Sequence, residues 1–358
     1  MAQFIQIFKD DTRLGYKIPA SEYLTSGKYP IIDQGKHLIS GYRNEKNGLY
    51  SDIPVIIFGD HTRILKYINT PFFIGADGVK ILKPKINDCN YKYLYYALCN
   101  IKIPNTGYNR HFKWIKEANI DLPELNIQNK VVNTLDFIND LVLFRKQQLS
   151  KLDQLVKSRF IEMFGDTKNN INNFKIYSIG DICSLKSGTS LPLNVENEGG
   201  DIPYIKVSDM GLPGNERYIT ISSRYVTQKT AGKGIFPVGS VIFPKRGGAI
   251  GTNKKRLTQI PICADLNIMG VIPGANITPH YLLSYFDMID LGKLDNGSSV
   301  PQLNNKDIAP LKILLPPFSL QEQFATFVQQ VDKAKSSVKQ SLEKLETLKK
   351  SLMQEYFD

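Results

Sequence analysis

The residues that could carry out chemistry are dispersed, and their spacing does not form an active site. Gly-Lys pairs at 27–28, 35–36, 232–233 and 292–293 lack the following Ser or Thr and the upstream glycine of a phosphate-binding P-loop. No GxGxxG sequence follows a predicted strand. The histidines are His37, His61, His111 and His280, which are too far apart in sequence to indicate a metal cluster. We therefore expect no cofactor and no metal.

One segment near the C-terminus has a superficial likeness to a catalytic loop. Leu315-Pro316-Pro317-Phe318 resembles the Asp/Asn-Pro-Pro-aromatic loop of amino methyltransferases. In that loop the first side chain accepts a hydrogen bond from the target amine, which the side chain of Leu315 cannot do. A turn into a helix is the simpler interpretation, and the sequence predicts that the chain is not itself an enzyme.

The cysteines and the hydropathy indicate a reducing, aqueous environment. Cys89, Cys99, Cys183 and Cys263 form no CxxC pair, which favours free cytoplasmic thiols over disulfides or a zinc site. No apolar run approaches the roughly 20 residues that span a bilayer. Charged residues from Lys9 to Arg13 interrupt the N-terminus before a signal-like core can form. We expect a cytoplasmic protein with no membrane partner.

The positive charge is concentrated in two blocks of the chain. The formal net charge is +11, of which residues 1–121 carry +6 and residues 166–314 carry +4, while the segments that follow each block are nearly neutral. Excess positive charge favours a polyanion such as nucleic acid through phosphate contacts and counterion release. A basic surface without a specific partner is the alternative that charge alone leaves open.

An internal repeat organises the chain. Residues 122–165 align without a gap on residues 315–358, with 13 identities in 44 pairs. Chance would give about two or three identities, so the segment is duplicated. The preceding blocks correspond more loosely, for example VIIF (55–58) with SVIF (240–243) and Ala76-Asp77 with Ala264-Asp265. The order is therefore block, repeated segment, block, repeated segment.

Both repeated segments have the pattern of a long amphipathic helix. Each begins after proline and then lacks Gly and Pro for about 40 residues. A helix of about 38 residues would be roughly 57 Å long, which exceeds the width of a small domain. Apolar residues that recur every seven positions predict the packing seam: Leu135, Ile138, Val142, Leu149, Leu152 and Val156 in the first helix, and Val331, Val338, Leu342, Leu345 and Leu352 in the second.

Two arrangements could bury these seams. Each helix could pack on its own block, or the helices could pair with each other. An antiparallel pair matches the fully apolar row of one helix with the fully apolar row of the other and gives one dry seam, whereas a parallel pair would place Lys335 and Lys349 opposite Val142 and Val156. We therefore favour the antiparallel pair, with the blocks at opposite ends. The mixed rows contain Arg145, Arg159, Lys335 and Lys349. These cations would extend from the edge of the helix pair or contact DNA phosphates, and we prefer the first interpretation.

The blocks themselves read as mixed α/β. Short β-branched runs at 54–58, 72–75, 240–244 and 269–273 alternate with Gly, Pro and Asn, and residues 91–99 and 280–289 look helical. The predicted fold class is α+β. Its segments are a first block (1–121), a first long helix (122–165), a second block (166–314) and a second long helix (315–358), with the helices forming an antiparallel coiled coil.

This layout resembles the specificity subunit of type I restriction-modification systems. The second half carries the likeness most strongly, in FKIYSIGDICSLKSGTSLP (174–192), GDIPYIKVSDM (200–210), PVGSVIFPKRGGAIG (237–251) and SSVPQLNNKDIAPLKILLPPFSLQEQ (298–323). The first half is similar at KYPIIDQGKHLISGY (28–42), IIFGDHTR (56–63) and ADGVKIL (76–82), but its helix entry lacks Pro-Pro and Glu-Gln. The likeness covers essentially the whole chain.

The resemblance implies a non-catalytic DNA reader. Each block would be a target-recognition domain that binds one half of a bipartite, asymmetric site on double-stranded DNA. The helices would fix the unread spacer and dock two adenine methyltransferase subunits, to which restriction and translocase subunits would add. A stand-alone DNA-binding regulator that dimerises through its long helices is the alternative, and it would favour a palindromic target.

Within the blocks, cations and small polar groups in glycine-rich turns are the candidates for DNA contact. Arg, Asn and Gln can read guanine and adenine edges, whereas Lys mostly binds phosphate. In the first block the candidates are Gln34, Lys36, His37, Tyr42, Arg43, His61, Arg63, Asn109, Arg110 and His111. In the second block they are Lys186, Ser187, Thr189, Lys206, Ser208, Lys245, Arg246, Lys254, Lys255 and Arg256.

Overall fold

Each globular block packs with parts of both long helices. A computed structural model describes residues 1–167, 170, 172–294 and 301–358. Its first unit comprises residues 1–146 and 340–358, and its second unit comprises residues 147–339. The predicted α+β class, with blocks of mixed structure and a pair of long helices, is confirmed.

The first unit contains short strands around one longer helix and the start of the first long helix. The strands are β1 (Ala2–Gln3), β2 (Phe8–Asp10), β3 (Tyr29–Ile32), β4 (Gly41–Arg43), β5 (Val55–Gly59), β6 (Leu65–Ile68), β7 (Phe73–Ile74), β8 (Val79–Pro84) and β9 (Asn119–Ile120). The helices are α1 (Phe4–Ile7), α2 (Tyr91–Asn100), α3 (Phe112–Lys116) and α4 (Leu125–Phe164), which continues into the second unit. Single 3₁₀ turns occupy Thr12–Leu14 and Ala20–Glu22.

The first-unit strands form a four-stranded antiparallel sheet and a three-stranded mixed sheet. Their orders are β2-β8-β5-β6 and β4-β3-β7, and β1 pairs separately with β9. The central strand β5 is buried along its whole length because both of its faces are covered. Ile56 and Phe58 face the cluster that contains α2 and α4, whereas Val55 and Ile57 face the cluster formed with Phe72. Burial on both faces explains its uninterrupted apolar sequence.

The second unit repeats this plan with additional strands. They are β10 (Lys175–Ser178), β11 (Cys183–Ser187), β12 (Ile202–Ile205), β13 (Tyr218–Ile219), β14 (Tyr225–Val226), β15 (Ile235–Phe236), β16 (Val241–Pro244), β17 (Arg256–Thr258), β18 (Ile262–Ala264), β19 (Ile268–Pro273) and β20 (Lys312–Leu315). The helices are α5 (Ile179–Ile182), α6 (Gln228–Ala231), α7 (Pro279–Asp287), α8 (Asn305–Ile308) and α9 (Phe318–Phe357), whose last part joins the first unit. The 3₁₀ turns are Asp209–Gly211, Gly232–Gly234, Gly247–Thr252 and Leu291–Leu294.

The sheets of the second unit have the orders β11-β19-β16-β17-β13 and β14-β12-β18-β15, and β10 pairs with β20. Strand β16 has the same two-sided burial as β5, since Val241 and Phe243 face one cluster and Ile242 faces another. The predicted strand runs at 54–58 and 240–244 and the predicted helices at 91–99 and 280–289 are confirmed as β5, β16, α2 and α7.

The long helices pair in antiparallel fashion inside each unit. In the first unit, Leu352 near the end of α9 packs in the same core as Leu135 near the start of α4. In the second unit, Phe160 near the end of α4 packs against Phe324 near the start of α9. Each helix therefore meets the other with reversed direction, as predicted.

The predicted seam residues are buried or half-buried, and two cations of the mixed rows form ion pairs. Leu135, Ile138, Val156, Val331 and Val338 are buried, and Val142, Leu149, Leu152, Leu342, Leu345 and Leu352 are half-buried. Lys335 pairs with Asp153, and Arg159 Nη1 lies 2.9 Å from Glu162. These pairs agree with the interpretation that the cations extend from the edge of the helix pair.

A duplicated glutamine anchors each block to the start of a long helix. Gln128 Nε2 donates to the Pro123 carbonyl at 2.7 Å, and Gln128 Oε1 accepts from Asn90 N, the cap of α2, at 2.9 Å. Gln321, the equivalent residue in the repeat, donates to the Pro316 carbonyl and accepts from the N-cap of α7 in the same way. Both side chains are almost fully buried. The repeat thus preserves a tertiary contact as well as a helix.

Candidate nucleic-acid interface

Loops from separate parts of the first block meet beyond one end of β5. We call residues 33–37, 60–63, 76–78 and 104–111 the first loop cluster. Asp60 N donates to the Gly78 carbonyl at 2.7 Å, and Gln34 Nε2 donates to the Asp77 carbonyl at 3.1 Å. Thr62 Oγ1 donates to the Gln34 carbonyl at 2.6 Å. The cluster is therefore joined by backbone and side-chain hydrogen bonds.

The exposed groups of the first loop cluster are mainly cationic, polar or aromatic. Lys36, His37, Asn109 and Arg110 are exposed, and half-buried His61 stacks on exposed Tyr108. These groups can bind phosphate, donate to base edges and provide an apolar face, which are the main modes of DNA contact.

A buried lysine supports one of these loops. Lys66 Nζ donates to the Asp33 carbonyl at 2.7 Å and to the His37 carbonyl at 2.5 Å, and it lies 3.6 Å from the Asp33 carboxylate. Burial lowers the pKa of Lys66, and the negative charge of Asp33 opposes that shift. The cation thus fixes the shape of the loop that carries Lys36 and His37.

Several predicted residues of the first block have internal partners. Arg63 Nη1 donates to the Ile103 carbonyl at 3.3 Å. His111 is fully buried and its ring contacts the Asp60 carbonyl and Thr106 Oγ1, so we assign it an internal role in place of the predicted DNA contact. Tyr42 and Arg43 lie on β4, and Arg43 pairs there with Glu22 and Glu45.

The second block has a corresponding group of loops, which we call the second loop cluster (residues 187–189, 245–247, 265–267 and 301–303). Thr189 N donates to the Ala264 carbonyl, and Lys245 N donates to the Asn267 carbonyl, both at 2.8 Å. Lys245 Nζ reaches Ser187 Oγ at 2.8 Å, and Arg246 is exposed beside them. The structure therefore brings Ser187, Thr189, Lys245 and Arg246 together.

Part of the loop that enters this cluster lies outside the described residues. The sequence predicts that NGSSVPQLN (296–304) corresponds to NTGYNRHFKW (105–114) of the first block. Residues 295–300 belong to the part of the chain that the structure does not describe. The remainder is joined to the cluster, since Gly247 N donates to the Pro301 carbonyl at 2.8 Å.

Two predicted lysines of the second block have internal partners, and a predicted serine lies in an exposed turn. Lys186 donates to the Ile235 carbonyl and lies over the ring of Phe236. Lys206 Nζ pairs with Glu196 at 2.6 Å. Ser208 is exposed in the turn after β12.

The remaining predicted cations of the second block belong to a different site. Lys255 and Arg256 line a cavity of about 610 Å³, together with Arg217 and Asp287. Lys255 is buried, and Nζ donates to Asn253 Oδ1 and the Ile289 carbonyl. Burial lowers the pKa of Lys255 to about 8. We therefore assign Lys255 an internal role in place of the predicted DNA contact. Lys254 is half-buried, and its ammonium group lies beside Gly211.

Sequence reasoning missed Tyr108, Asp60 and Lys66. Tyr108 lies in the loop that carries the predicted residues Asn109 and Arg110, so the sequence could have identified it as a candidate for DNA contact. Lys66 shares a strand face with buried Ile68, and a lysine on the apolar face of an alternating strand is the signal that could have identified it. Nothing in the sequence indicates that Asp60 accepts from Phe112 N across the block.

Within the described residues, no group of three or more His, Cys, Asp or Glu side chains could hold a metal ion. In the same residues, we find no helix whose length and apolar character would suffice to cross a membrane.

Comparison with known proteins assigns this arrangement to a class. The family described as "Type I restriction modification DNA specificity domain" matches the chain twice, over residues 6–154 and 171–347. The specificity subunit of the type I restriction enzyme EcoR124I/EcoR124II from Escherichia coli is 25% identical, and the alignment covers 99% of this chain and 91% of that protein. A putative type I specificity subunit from Haemophilus influenzae is 22% identical over 73% of this chain and 68% of its own length.

Solved structures have the same fold. The S subunit of a type I restriction-modification system from M. genitalium gives a TM-score of 0.59 at 17% identity, covering 99% of this chain and 95% of that one. A chain from a study of complex assembly and conformational transition of the type I restriction-modification system gives 0.58 at 15% identity, covering 98% and 94%.

Two loop-bearing blocks joined through paired helices define a DNA-specificity class of protein. The chain belongs to the family of type I restriction-modification DNA specificity proteins, because the family match covers most of its length in two copies. Its general role is that of the specificity component of such a system, and the predictions of the family and of a non-catalytic chain are confirmed.

Proposed function

We propose that this chain reads a bipartite, asymmetric DNA sequence, with one loop cluster for each half. The observation that carries the proposal is the chemical difference between two equivalent positions. Strand β5 is followed by buried Asp60 and half-buried His61, whereas the equivalent strand β16 is followed by half-buried Lys245 and exposed Arg246, so that His61 and Arg246 occupy equivalent positions. Since base readout depends on side-chain donors and acceptors, different side chains on equivalent supports select different bases.

The exposed members of each cluster are the proposed DNA contacts. In the first cluster these are Lys36, His37, Asn109 and Arg110, with His61 beneath Tyr108. In the second they are Ser187 and Arg246, together with half-buried Lys245, whose Nζ donates to Ser187 Oγ. Ser208, exposed in the turn after β12, is a further candidate. Gln34, Arg63, Thr189, Lys186 and Lys206 would hold the loops in shape. Tyr42, Arg43, Lys254 and Arg256 would contribute positive or polar surface outside the clusters.

The partners proposed are two adenine methyltransferase subunits, to which restriction subunits add. The relative from Escherichia coli is the specificity subunit of a type I restriction enzyme, and a structural relative belongs to a study of the assembly of such a complex. The first unit also exposes Phe137 and Phe144 on α4, a surface that water does not favour and that a partner could cover. The paired helices would set the length of the unread spacer between the half-sites.

Arg246→Ala tests the readout by the second cluster. Loss of a bidentate arginine contact to guanine costs about 1–3 kcal/mol, so binding of the target by the complex with the methyltransferase should weaken about ten-fold or more. Binding to a scrambled duplex should change much less. Fluorescence anisotropy with both duplexes measures the two affinities.

Lys175→Ala is the matched control, because Lys175 is exposed on β10, which pairs with β20 and belongs to neither cluster. Its target affinity should equal that of the wild type. Equal losses for target and scrambled DNA in Arg246→Ala would reassign Arg246 to a phosphate contact. Tight binding of a palindrome by the chain without a methyltransferase would instead support a stand-alone regulator.

A further inference from the structure

The tip of the 104–111 segment carries an aromatic side chain held in a fixed orientation. Tyr108 is 86% exposed, and its ring stacks on His61 with centroids 4.6 Å apart and ring planes 7° apart. His61 covers one face of the tyrosine ring. The opposite face, the ring edge and the hydroxyl group point to solvent.

Hydrogen bonds on both sides of Tyr108 hold the 104–111 segment in place. Asp60 is 2% exposed, and its Oδ1 accepts from Phe112 N at 2.7 Å. The Asp60 carbonyl accepts from His111 N at 2.9 Å, and Thr106 Oγ1 contacts the His111 ring at 3.3 Å on the other side of the tip. These contacts restrict the loop, so that Tyr108 would lose little conformational freedom on binding.

The surroundings of Tyr108 attract a polyanion, whereas the ring itself is uncharged. Arg110 follows two residues later and is exposed, and Lys36 is exposed in the same cluster. Phosphates would be neutralised by these cations. Because the base faces of a duplex are already stacked, an uncharged aromatic ring among these cations would contact base edges in a groove, such as the methyl group of thymine.

We propose that Tyr108, braced by His61, is a specificity-determining residue of the first block that contacts a base through its ring. The inference rests on the proposed function, because it assigns to one residue a part of the readout by the first loop cluster. Its contribution is to selectivity rather than to electrostatic attraction. Tyr108 would therefore differ in role from exposed Arg110, whose charge would be neutralised by phosphate.

The test uses the full chain in complex with its methyltransferase subunit. Dissociation constants are measured for the target duplex, mapped beforehand from methylated adenines, and for a scrambled duplex, over a range of salt concentrations. Loss of the readout of one base pair costs about 1–3 kcal/mol, so Tyr108→Ala should raise the dissociation constant for the target about ten-fold. The dissociation constant for scrambled DNA and the dependence of binding on salt concentration should stay unchanged. Tyr108→Phe should retain wild-type affinity, because the ring makes the contact.

Two comparisons sharpen the result. Arg110→Ala should weaken binding to both duplexes equally. It should also reduce the slope of log affinity against log salt concentration by about one. Ile5→Ala is the control for truncating an exposed apolar side chain, since Ile5 is 58% exposed. Ile5 lies just before β2, which pairs with the Pro84 end of β8, whereas the first loop cluster adjoins the Val79 end of that strand. The fluorescence of Trp114 in the same unit reports whether each variant is folded.

Loss of target and scrambled binding in equal measure by folded Tyr108→Ala would overturn the inference, and so would unchanged target binding. If Tyr108→Ala fails to fold, Tyr108→Ser, which also removes the ring, decides between the same outcomes. A wild-type complex that binds both duplexes equally would contradict the proposed function itself. That failure is visible before any variant is compared.

Discussion

Lys66 and Lys255 show how burial gives two lysines of a basic protein internal tasks. Lys66 donates to two carbonyls of the 33–37 loop, and Lys255 donates to the Ile289 carbonyl beside a cavity. An ammonium group away from water requires such partners because its desolvation is costly. The positive charges of Lys66 and Lys255 therefore stabilise the fold and are not available at the surface.

Removal of the Lys66 charge should loosen the first loop cluster. Lys66→Met leaves the Asp33 and His37 carbonyls without their donor, so the first unit should lose about 1–3 kcal/mol of stability. Target affinity of the methyltransferase complex should fall as well, because Lys36 and His37 lose their support. Urea unfolding followed by Trp114 fluorescence measures the stability.

Lys46→Met is the matched control, since Lys46 is exposed in the loop before β5. It should leave both properties unchanged. A Lys66→Met chain with wild-type stability and target affinity would refute the supporting role of Lys66.

The pKa of Lys255 predicts a pH dependence of the second unit. Its folded pKa is about 8, below the ordinary value of 10.5, so above pH 8 the unfolded chain holds more protons than the folded one. The free energy of unfolding should therefore increase as the pH rises from about 8 towards 10.5, by at most about 1.4 kcal/mol per pH unit, because of Lys255. Lys255→Met should remove the gain.

The measurement is the difference in urea midpoint between wild type and Lys255→Met at pH 8 and pH 9, followed by circular dichroism. Other groups titrate in this range, but the difference between the two chains isolates Lys255. The wild type should become more stable relative to the variant at pH 9. A difference that stays constant with pH would mean that Lys255 keeps an ordinary pKa.

At the residue scale, exposure was predictable in part. Polar residues in glycine-containing turns, such as Arg110 and Arg246, could be identified from sequence because turns lie at the surface. The same reasoning failed for His111, which is equally polar and adjacent to Arg110. Its burial depends on the Asp60 carbonyl, which is 51 residues away and whose position no local pattern encodes.

At the scale of elements, the glutamine anchors link the start of each long helix to the helix of its block. Gln128→Leu leaves the half-buried Asn90 N–H and the Pro123 carbonyl without their partner, which should cost the first unit about 1–3 kcal/mol. Gln321→Leu should have the same effect on the second unit. Trp114 fluorescence in urea measures the first, and hydrogen exchange of α7 amides measures the second.

Gln354→Leu provides the control, because Gln354 is exposed on the part of α9 that belongs to the first unit. It should leave the unfolding midpoint unchanged. Equal midpoints for Gln128→Leu and Gln354→Leu would mean that the anchor contributes nothing to stability.

The elements were predictable to different degrees. The long helices follow from seven-residue periodicity and from the absence of Gly and Pro, and β5 and β16 follow from their apolar runs. The order of the sheets could not be derived. Strand β16 pairs with β19, which begins 24 residues after β16 ends, and the parallel pair β12–β18 joins strands about 60 residues apart. Local sequence does not specify such distant pairings.

At the scale of the whole molecule, duplication followed by divergence is the feature that relates the fold to its role. The repeated helices keep their seam and their buried glutamines, because both copies need the same packing. The loops beyond β5 and β16 have diverged, with Asp60-His61 in one copy and Lys245-Arg246 in the other. Conservation of support with divergence of the exposed loops is what a reader of two different half-sites requires.

The most direct test of this account is a map of methylated adenines in DNA from cells that express the chain with its methyltransferase subunit, compared with cells that express Arg246→Ala instead. We predict one asymmetric motif with two specified halves and a fixed unread spacer, and relaxed specification of one half alone in the variant. Methylation at a single undivided motif, at a palindrome, or with both halves relaxed together by Arg246→Ala would contradict it.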